Sequence, residues 1–305
     1  MLFAYHEMGY ACMEALLKMG TPIAALFTHR DDPHEGIWWR SCAELAAQHG
    51  IRAHIDESVE VAFEKVGESK PSIIYSFSYR HLIPERVLEL APLGAFNLHP
   101  SLLPAYRGRA PVNWVLVNGE REAGVTLHHM VARADAGDIV GQRAVAIDDS
   151  DNALTLYRKL VPLGVELIDK LHPKIVADTA PRRKMDIAKG SYFGRRKPED
   201  GRIDWRWPAR RIFNLVRAVT HPYPGAFCFV GGRKLMVWEA KIGAESGSRG
   251  APGRVVGEMA DGALEVAAGE GSLIVKVVQF EDGVEGIARE ALSQSGRVTD
   301  TIQFD

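Results

Sequence analysis

Short apolar runs alternate with helical patterns over the first part of the chain. Leu2–Tyr5 and Ile23–Thr28 read as strands, and Tyr10–Met19 between them reads as a helix ending at Gly20. Trp39–His49 is a second predicted helix, closed by Gly50, and Ile51–His54 a short strand. Val59–Val66 has helical periodicity, Ser72–Phe77 is extended, and Pro84–Leu90 is a helix with proline at its start, where the missing N–H costs nothing. Gly94–Leu98 is again apolar and extended. This alternation predicts a parallel sheet with helices on both faces.

Pro111–Val117 reads as a helix, and Gly124–Met130 and Ile139–Ile147 as strands. Asn152–Leu171 carries apolar residues at 154, 156, 160, 163, 167, 168 and 171, an amphipathic helix despite Pro162. The composition then shifts. Between Pro181 and Arg211 there are eleven Lys or Arg against four acids, the composition of a solvated connector. Beyond it, Ala226–Val230, Lys234–Glu239, Arg254–Glu258, Leu264–Ala267 and Leu273–Val278 are short strands. Gly231-Gly232 fits a two-residue hairpin, and Gly243–Gly253 a mobile loop. Five such strands predict a small β-barrel or open sheet. The expected organisation is an α/β domain over 1–190, a linker over 191–203 and a β-barrel-like domain over 204–305.

Composition narrows the function. Of the 305 residues, 46% are hydrophobic and 25% charged, ordinary for a globular protein. Thirty-seven basic against 39 acidic residues give a net charge of -2, which disfavours a nucleic-acid partner. No run approaches the roughly 18 apolar residues of a membrane span, and no secretory leader is visible. Cys12, Cys42 and Cys228 are too few and too widely spaced for a disulfide framework or a CxxC metal site, so reduced, buried thiols in a cytoplasmic protein are expected. The turn after the first strand, His6-Glu7-Met8-Gly9, lacks the glycines of a dinucleotide fingerprint, and no Walker-type loop occurs.

Chemistry concentrates in Ala95-Phe96-Asn97-Leu98-His99-Pro100-Ser101-Leu102-Leu103-Pro104-Ala105-Tyr106-Arg107-Gly108-Arg109-Ala110-Pro111. Asn97 and His99, two apart on a strand, share one face, and Pro100 keeps His99 extended. An amide beside an imidazole at a strand's carboxyl end can pair an oxyanion donor with a general base. His128 and His129, adjacent on a strand, face opposite ways, so no metal site is expected there.

The S-L-L-P-x-Y-R-G run, preceded by Asn-x-His and followed by Asp135-Ala136-Gly137-Asp138-Ile139, resembles the formyltransferases that use 10-formyltetrahydrofolate. The resemblance implies a Rossmann-like domain followed by an OB-like barrel, and an enzyme that moves a formyl group from the folate to an amine without a metal. It implies that Asn97 polarises the formyl oxygen, His99 moves protons and Asp135 supports His99. By the same resemblance His81, Leu82, Ile83, Arg109, Val131, Ala132, Arg133 and Ala134 line the folate pocket. A carboxylate beside His99 is expected to raise the imidazole's pKa by charge attraction. Phe3–Gly9, Ser78–Ile83, Arg107–Glu120, Phe193–Arg196 and Pro222–Phe227 are most similar to members that formylate UDP-4-amino-4-deoxy-L-arabinose, a step of lipid A modification and polymyxin resistance. Those relatives continue into an NAD-dependent decarboxylase domain not present in these 305 residues, so either a stand-alone enzyme or a shortened form of such a protein is expected. The expected partners are therefore a nucleotide sugar and formyl folate, with self-association or a separate decarboxylase chain beside them. Pro100 stands where those relatives have Gly. The rivals are methionyl-tRNA formyltransferase, another amino-sugar nucleotide N-formyltransferase, and a folate-binding module without turnover. The loop Arg30-Asp31-Asp32-Pro33-His34-Glu35-Gly36 is acidic, unlike the basic tRNA-gripping insertion of the first rival.

Overall fold

The alternating pattern becomes a sheet because each short apolar run needs both faces covered. The computed structural model describes residues 1–33, 36–294 and 302–305. His34 and Glu35 of the acidic loop lie outside the described residues. The chain forms two compact units: 1–111, 122–147 and 157–194 make the first, and 112–121, 148–156 and 195–305 the second.

The first unit is built from β1 (Leu2–Ala4), α1 (His6–Lys18), β2 (Leu26–Thr28), α2 (Cys42–Gln48), β3 (Ala53–Ile55), α3 (Val59–Ser69), β4 (Ile74–Phe77), α4 (Glu85–Leu88) and β5 (Ala95–His99). A two-residue strand, β6 (Arg107–Gly108), follows, and then α5 (Pro111–Val117), all of which but Pro111 belongs to the second unit. The first unit resumes with β7 (Glu122–His129), β8 (Ile139–Ala146), the long helix α6 (Ala153–Val176) from Tyr157 onward, and β9 (Tyr192–Phe193). The sheet order is β3-β2-β1-β4-β5-β7-β8. Its first five strands are parallel, as expected, and β7 and β8 add antiparallel edges. The order reverses between β1 and β4, and in doubly wound sheets ligands bind beyond the carboxyl ends of the strands near such a point.

Helix boundaries differ from the sequence pattern for local reasons. α2 starts at Cys42, not Trp39, because Ser41 caps it by accepting from the Glu44 N–H. Trp38 and Trp39 instead pack on His6, with ring centroids 4.8 and 4.0 Å away. α1 starts four residues earlier than its apolar period suggests, from a His6 in the left-handed region at φ 65°. α6 runs through both Pro162 and Pro173. Gly164 lets it approach the sheet: a Cβ there would stand 2.6 Å from the Met8 sulfur and 2.8 Å from Leu98 Cδ2.

The second unit carries α7 (Ala209–Val219), β10 (Ala226–Val230), β11 (Arg233–Ala244), β12 (Val255–Glu258), β13 (Leu264–Ala267), β14 (Ser272–Phe280), β15 (Gly286–Ile287) and α8 (Ala288–Gln294). The antiparallel path is β10-β11-β14-β13-β12, with β15 on β14. Gly231 and Gly232, at φ 57° and 80°, make the hairpin expected between β10 and β11. Residues 303 and 304 bridge Arg254, just before β12, and Val230 of β10, so the last residues seam the two ends of the path.

Two expectations for this half need correction. Gly243 and Ala244 belong to β11 rather than to a loop. Part of the basic stretch is the helix α7, whose buried face of Ala209, Ile212, Phe213, Leu215, Val216, Ala218 and Val219 is interrupted by Arg210, Arg211 and Arg217. Cys12, Cys42 and Cys228 are buried and unpaired, and burial pushes the Cys42 and Cys228 thiols up to about 12.

Candidate active site

β5 fixes the first two groups. Leu98 is 2% exposed and points toward α6, so Asn97 and His99 face the opposite side. In the antiparallel pairing of β5 with β7, Asn97 stands opposite His128 and His99 opposite Thr126. The loop from β7 to β8 then folds back, its base closed by the His129 N–H donating to the Asp138 carbonyl at 2.8 Å. Gly137 makes the close approach possible, since a Cβ there would stand 2.0 Å from the His129 carbonyl oxygen. This return carries Asp135 to β5.

The result is a cluster around one carboxylate. Asp135 Oδ1 lies 3.4 Å from Asn97 Nδ2, 3.5 Å from His99 Nδ1 and 3.6 Å from His128 Nε2. Its Oδ2 accepts the Gly108 backbone N–H at 2.9 Å. His99 Nε2 faces the Tyr106 carbonyl at 2.8 Å and must donate to it, which leaves Nδ1 toward Asp135. His128 Nδ1 faces the His129 carbonyl at 2.8 Å, so its Nε2 accepts from Asn97 Nδ2 at 3.2 Å. The orientation of the Asn97 amide follows from that chain of donors. Asp135 and Tyr106 hold positive φ, 49° and 59°, a strain of order 1 kcal/mol each in the range seen at functional sites. The ring stack of Tyr106 on Phe193, 5.0 Å between centroids, and its N–H bond to Ser191 Oγ at 2.8 Å hold the second of these.

Burial decides the electrostatics. It is the largest influence on His99 and pushes the imidazole below its ordinary 6.5, against the opposing pull of Asp135 and the Tyr106 carbonyl. The sequence-based expectation of a raised His99 is therefore reversed: His99 is 5% exposed, and desolvation outweighs the attraction. Burial alone would raise the Asp135 carboxyl, but His99, His128 and the Gly108 N–H together hold it well below the carboxylate range. The free site thus pairs a neutral imidazole with an ionised carboxylate at neutral pH.

The structure brings together Asn97, His99 and Asp135, and adds three groups to which the sequence assigned no part in the site: His128, considered there only as a metal ligand, the Gly108 N–H and the Tyr106 carbonyl. Only the β5–β7 register identifies His128. The expected folate-lining residues form a more open set. His81 and Leu82 are exposed and Ile83 partly buried just beyond β4, the strand parallel to β5. Val131, Ala132 and Arg133 are exposed and Ala134 half-buried on the returning loop. Arg109 is exposed, and its Nη2 donates to the Arg80 carbonyl at 3.2 Å, which ties this segment to the loop carrying His81. Two grooves of about 610 and 730 Å³ lie elsewhere, in the second unit, and neither contains a residue of the Asp135 cluster. Among the described residues no three His, Cys, Asp or Glu side chains converge as metal ligands. No described helix is long and apolar enough to cross a membrane.

Solved structures share the fold. WlaRD, a sugar 3N-formyl transferase determined with dTDP and 5-N-formyl-THF, superposes with a TM-score of 0.68 at 20% identity, over 93% of this chain and 97% of that one. An N-formyltransferase from Helicobacter canadensis, in complex with folinic acid and dTDP-3-aminofucose, gives 0.69 at 21% identity, over 90% and 97%. HypX from Aquifex aeolicus, in complex with tetrahydrofolic acid, gives 0.63 at 18% identity, over 96% of this chain and 46% of that one. The sequence itself matches the formyl transferase domain over residues 19–170 and the formyl transferase C-terminal domain over residues 195–295. Together these matches take in well over half of the chain, which belongs to the formyl transferase family.

Proposed function

We propose that this enzyme transfers the formyl group of 10-formyltetrahydrofolate to the primary amine of a nucleotide-activated amino sugar, with UDP-4-amino-4-deoxy-L-arabinose as the acceptor. The observation that carries the proposal is the convergence of Asn97, His99 and Asp135 on one carboxylate oxygen. The neutral amine attacks the formyl carbon, giving a tetrahedral intermediate with a negative oxygen and a positive nitrogen. The new C–N bond remains and the bond to the folate nitrogen breaks. One proton leaves the attacking amine and one reaches the departing nitrogen.

Each group has a task in that sequence. His99 Nδ1, neutral because it is buried, accepts the proton from the amine. Asp135, 3.5 Å away, stabilises the imidazolium that forms, and the same proton then passes to the folate nitrogen. The Asn97 amide holds His128 with one hydrogen at 3.2 Å. Its other hydrogen makes only a long 3.4 Å contact to Asp135, so the developing oxyanion competes for it readily. One such donor is worth about 2.7–4 kcal/mol in comparable sites. Exposed Leu82 and Val131 offer apolar surface for a pterin, and Arg109 a charge beside it.

The acceptor assignment rests on the motifs shared with UDP-4-amino-4-deoxy-L-arabinose formyltransferases and on the sugar N-formyltransferases among the solved structures of this fold. A tRNA acceptor fits less well, because Asp31 of the acidic loop is committed inward, accepting from Tyr5 Oη at 2.8 Å and Trp39 Nε1 at 3.0 Å. The test offers the purified protein 10-formyltetrahydrofolate with UDP-4-amino-4-deoxy-L-arabinose, a dTDP-3-amino sugar and methionyl-tRNA in parallel. Formamide formation on the arabinose nucleotide is expected. Product on the dTDP sugar alone would move the assignment to another amino sugar, and release of formate without any formamide would overturn it.

A further inference from the structure

Arg107 sits in the middle of the segment that holds the active site, and nothing in the reaction described above uses it. Its neighbour on one side, Tyr106, fixes His99 through the carbonyl, and its neighbour on the other, Gly108, fixes Asp135 through the N–H. The Arg107 side chain is itself 6% exposed. Its Nε is enclosed without an acceptor, and no carboxylate among the described residues pairs with its guanidinium. The guanidinium carbon stands 5.9 Å from the ring of Tyr192, which is 62% exposed.

This is unusual within the molecule. The other buried arginine among the described residues, Arg217, has the Asn214 side-chain oxygen at 3.0 Å and the backbone carbonyls of Asp148 and Asp151 at 2.9 and 3.4 Å. Two arginines of the first unit are also committed to carboxylates, Arg182 to Asp138 at 2.8 Å and Arg143 to Glu166 at 2.7 Å. An arginine keeps its proton in a protein, so a side chain whose Nε is enclosed without an acceptor carries a cost unless an anion arrives to meet it. Its fork of N–H donors matches the oxygens of a phosphate or a carboxylate.

We propose that Arg107 is a preformed oxyanion-binding residue that holds the diphosphate of the acceptor nucleotide. The inference rests on the proposed reaction with a sugar nucleotide. The substrates carry two kinds of oxyanion, the diphosphate of the acceptor and the glutamate carboxylates of the folate. In an amino-sugar nucleotide the diphosphate lies one pyranose ring and one bridging oxygen from the reacting amine. The folate carboxylates lie a benzoyl ring and an amide bond from the formyl nitrogen. A guanidinium rooted one residue from the Asp135 anchor, with consecutive Cα atoms about 3.8 Å apart, is placed for the nearer anion.

The experiment compares the wild type with Arg107→Met and Arg107→Lys. Binding of UDP, dTDP and 5-formyltetrahydrofolate is measured by calorimetry, and kcat and KM by formamide formation. Loss of charge-assisted bonds should weaken nucleoside diphosphate binding about 10- to 100-fold in Arg107→Met. Folate binding should stay unchanged, and the acceptor KM should rise with kcat nearly constant. Arg107→Lys, with its charge but no fork, should fall between. The ligand-free Arg107→Met protein should melt no lower than the wild type, since a buried unpaired charge is removed. If Arg107→Met fails to fold, Arg107→Lys decides by the same binding measurements. Unchanged diphosphate affinity, or weakened folate binding instead, overturns the inference. Wild-type protein that formylates no sugar nucleotide overturns the reaction, and the nucleoside diphosphate titrations still decide the role of Arg107.

Discussion

His99 keeps one proton on Nε2 because the Tyr106 carbonyl 2.8 Å away can only accept, and this leaves Nδ1 as the ring nitrogen for the proposed proton transfer. Removal of either partner in the His99–Asp135 pair should therefore stop proton transfer without unfolding the sheet. His99→Ala and Asp135→Ala are expected to lower kcat about 100- to 10,000-fold with an unchanged circular dichroism spectrum, and near-normal turnover in either would remove that residue from the mechanism. The protonation states can be read directly. Burial places the His99 midpoint below 6.5, and Asp135 is the chief influence opposing it. In Asp135→Asn that opposition is gone, so the midpoint should move to still lower pH. Histidine NMR titration of the free protein reads both values. A His99 midpoint above 6.5 in the wild type, or an upward shift in Asp135→Asn, would contradict the ordering of burial over charge. His128 acts one step further out, through the Asn97 amide. His128→Gln can still accept from Asn97 and should keep more activity than His128→Leu, a difference that simple loss of packing would not produce.

α6 and β5 meet where Gly164 leaves room for Met8 and Leu98, and Leu98 lies between Asn97 and His99 on its strand. Gly164→Val should overpack this contact at a cost of about 1–3 kcal/mol, read by urea denaturation, and should disturb activity through the tilt of β5. A stability equal to the wild type would mean that the Met8 side chain yields freely. The elements themselves were largely legible in the sequence, because period-2 runs and glycine or proline boundaries are local signals. β1 through β5, α5 and β10 fall within a few residues of their patterns. α7 was not, since Arg210, Arg211 and Arg217 interrupt its apolar face and read as solvated charge. Those charges are held locally, Arg211 over the Trp207 ring at 3.9 Å and Arg210 against Asp149 at 2.7 Å. β6 and β9 could not be read either, being two residues each and defined only by their pairing. The same limit hid part of the site. Asn97 and His99 share a strand and show in the spacing, whereas His128 joins them through a register between strands and Gly108 through a backbone N–H that any residue but proline carries.

In the first unit burial lowers His6, His29, His99, His129 and His172, and this shapes how the molecule responds to acid. His6 is enclosed by Trp38, Trp39 and Tyr157, and its Nδ1 is bound to Tyr157 Oη at 2.9 Å. Burial, with Arg80 adding to it and Asp31 opposing, lowers it to about 3. His29 stacks on Tyr79 at 4.4 Å and accepts the Arg80 N–H at 3.0 Å. Burial, with His81 and Arg80 adding to it and Asp56 opposing, lowers it to about 4. His99, His129 and His172 are lowered as well, in each case chiefly by burial. The unfolded chain binds protons at these sites from about pH 6.5 downward, while the folded chain does not until pH 4 or below at His29 and His6. Stability that these groups contribute is therefore present above pH 6.5 and is lost as the pH falls toward 4 and then 3. The urea midpoint should drop between pH 7 and pH 5 with little change in slope. His6→Asn should make that drop shallower, because asparagine tolerates the positive φ at this position, can still meet the Tyr157 hydroxyl and has no proton to take up. A midpoint that holds constant from pH 7 to 5, or a drop in His6→Asn as steep as in the wild type, would show that the acid response originates elsewhere in the molecule.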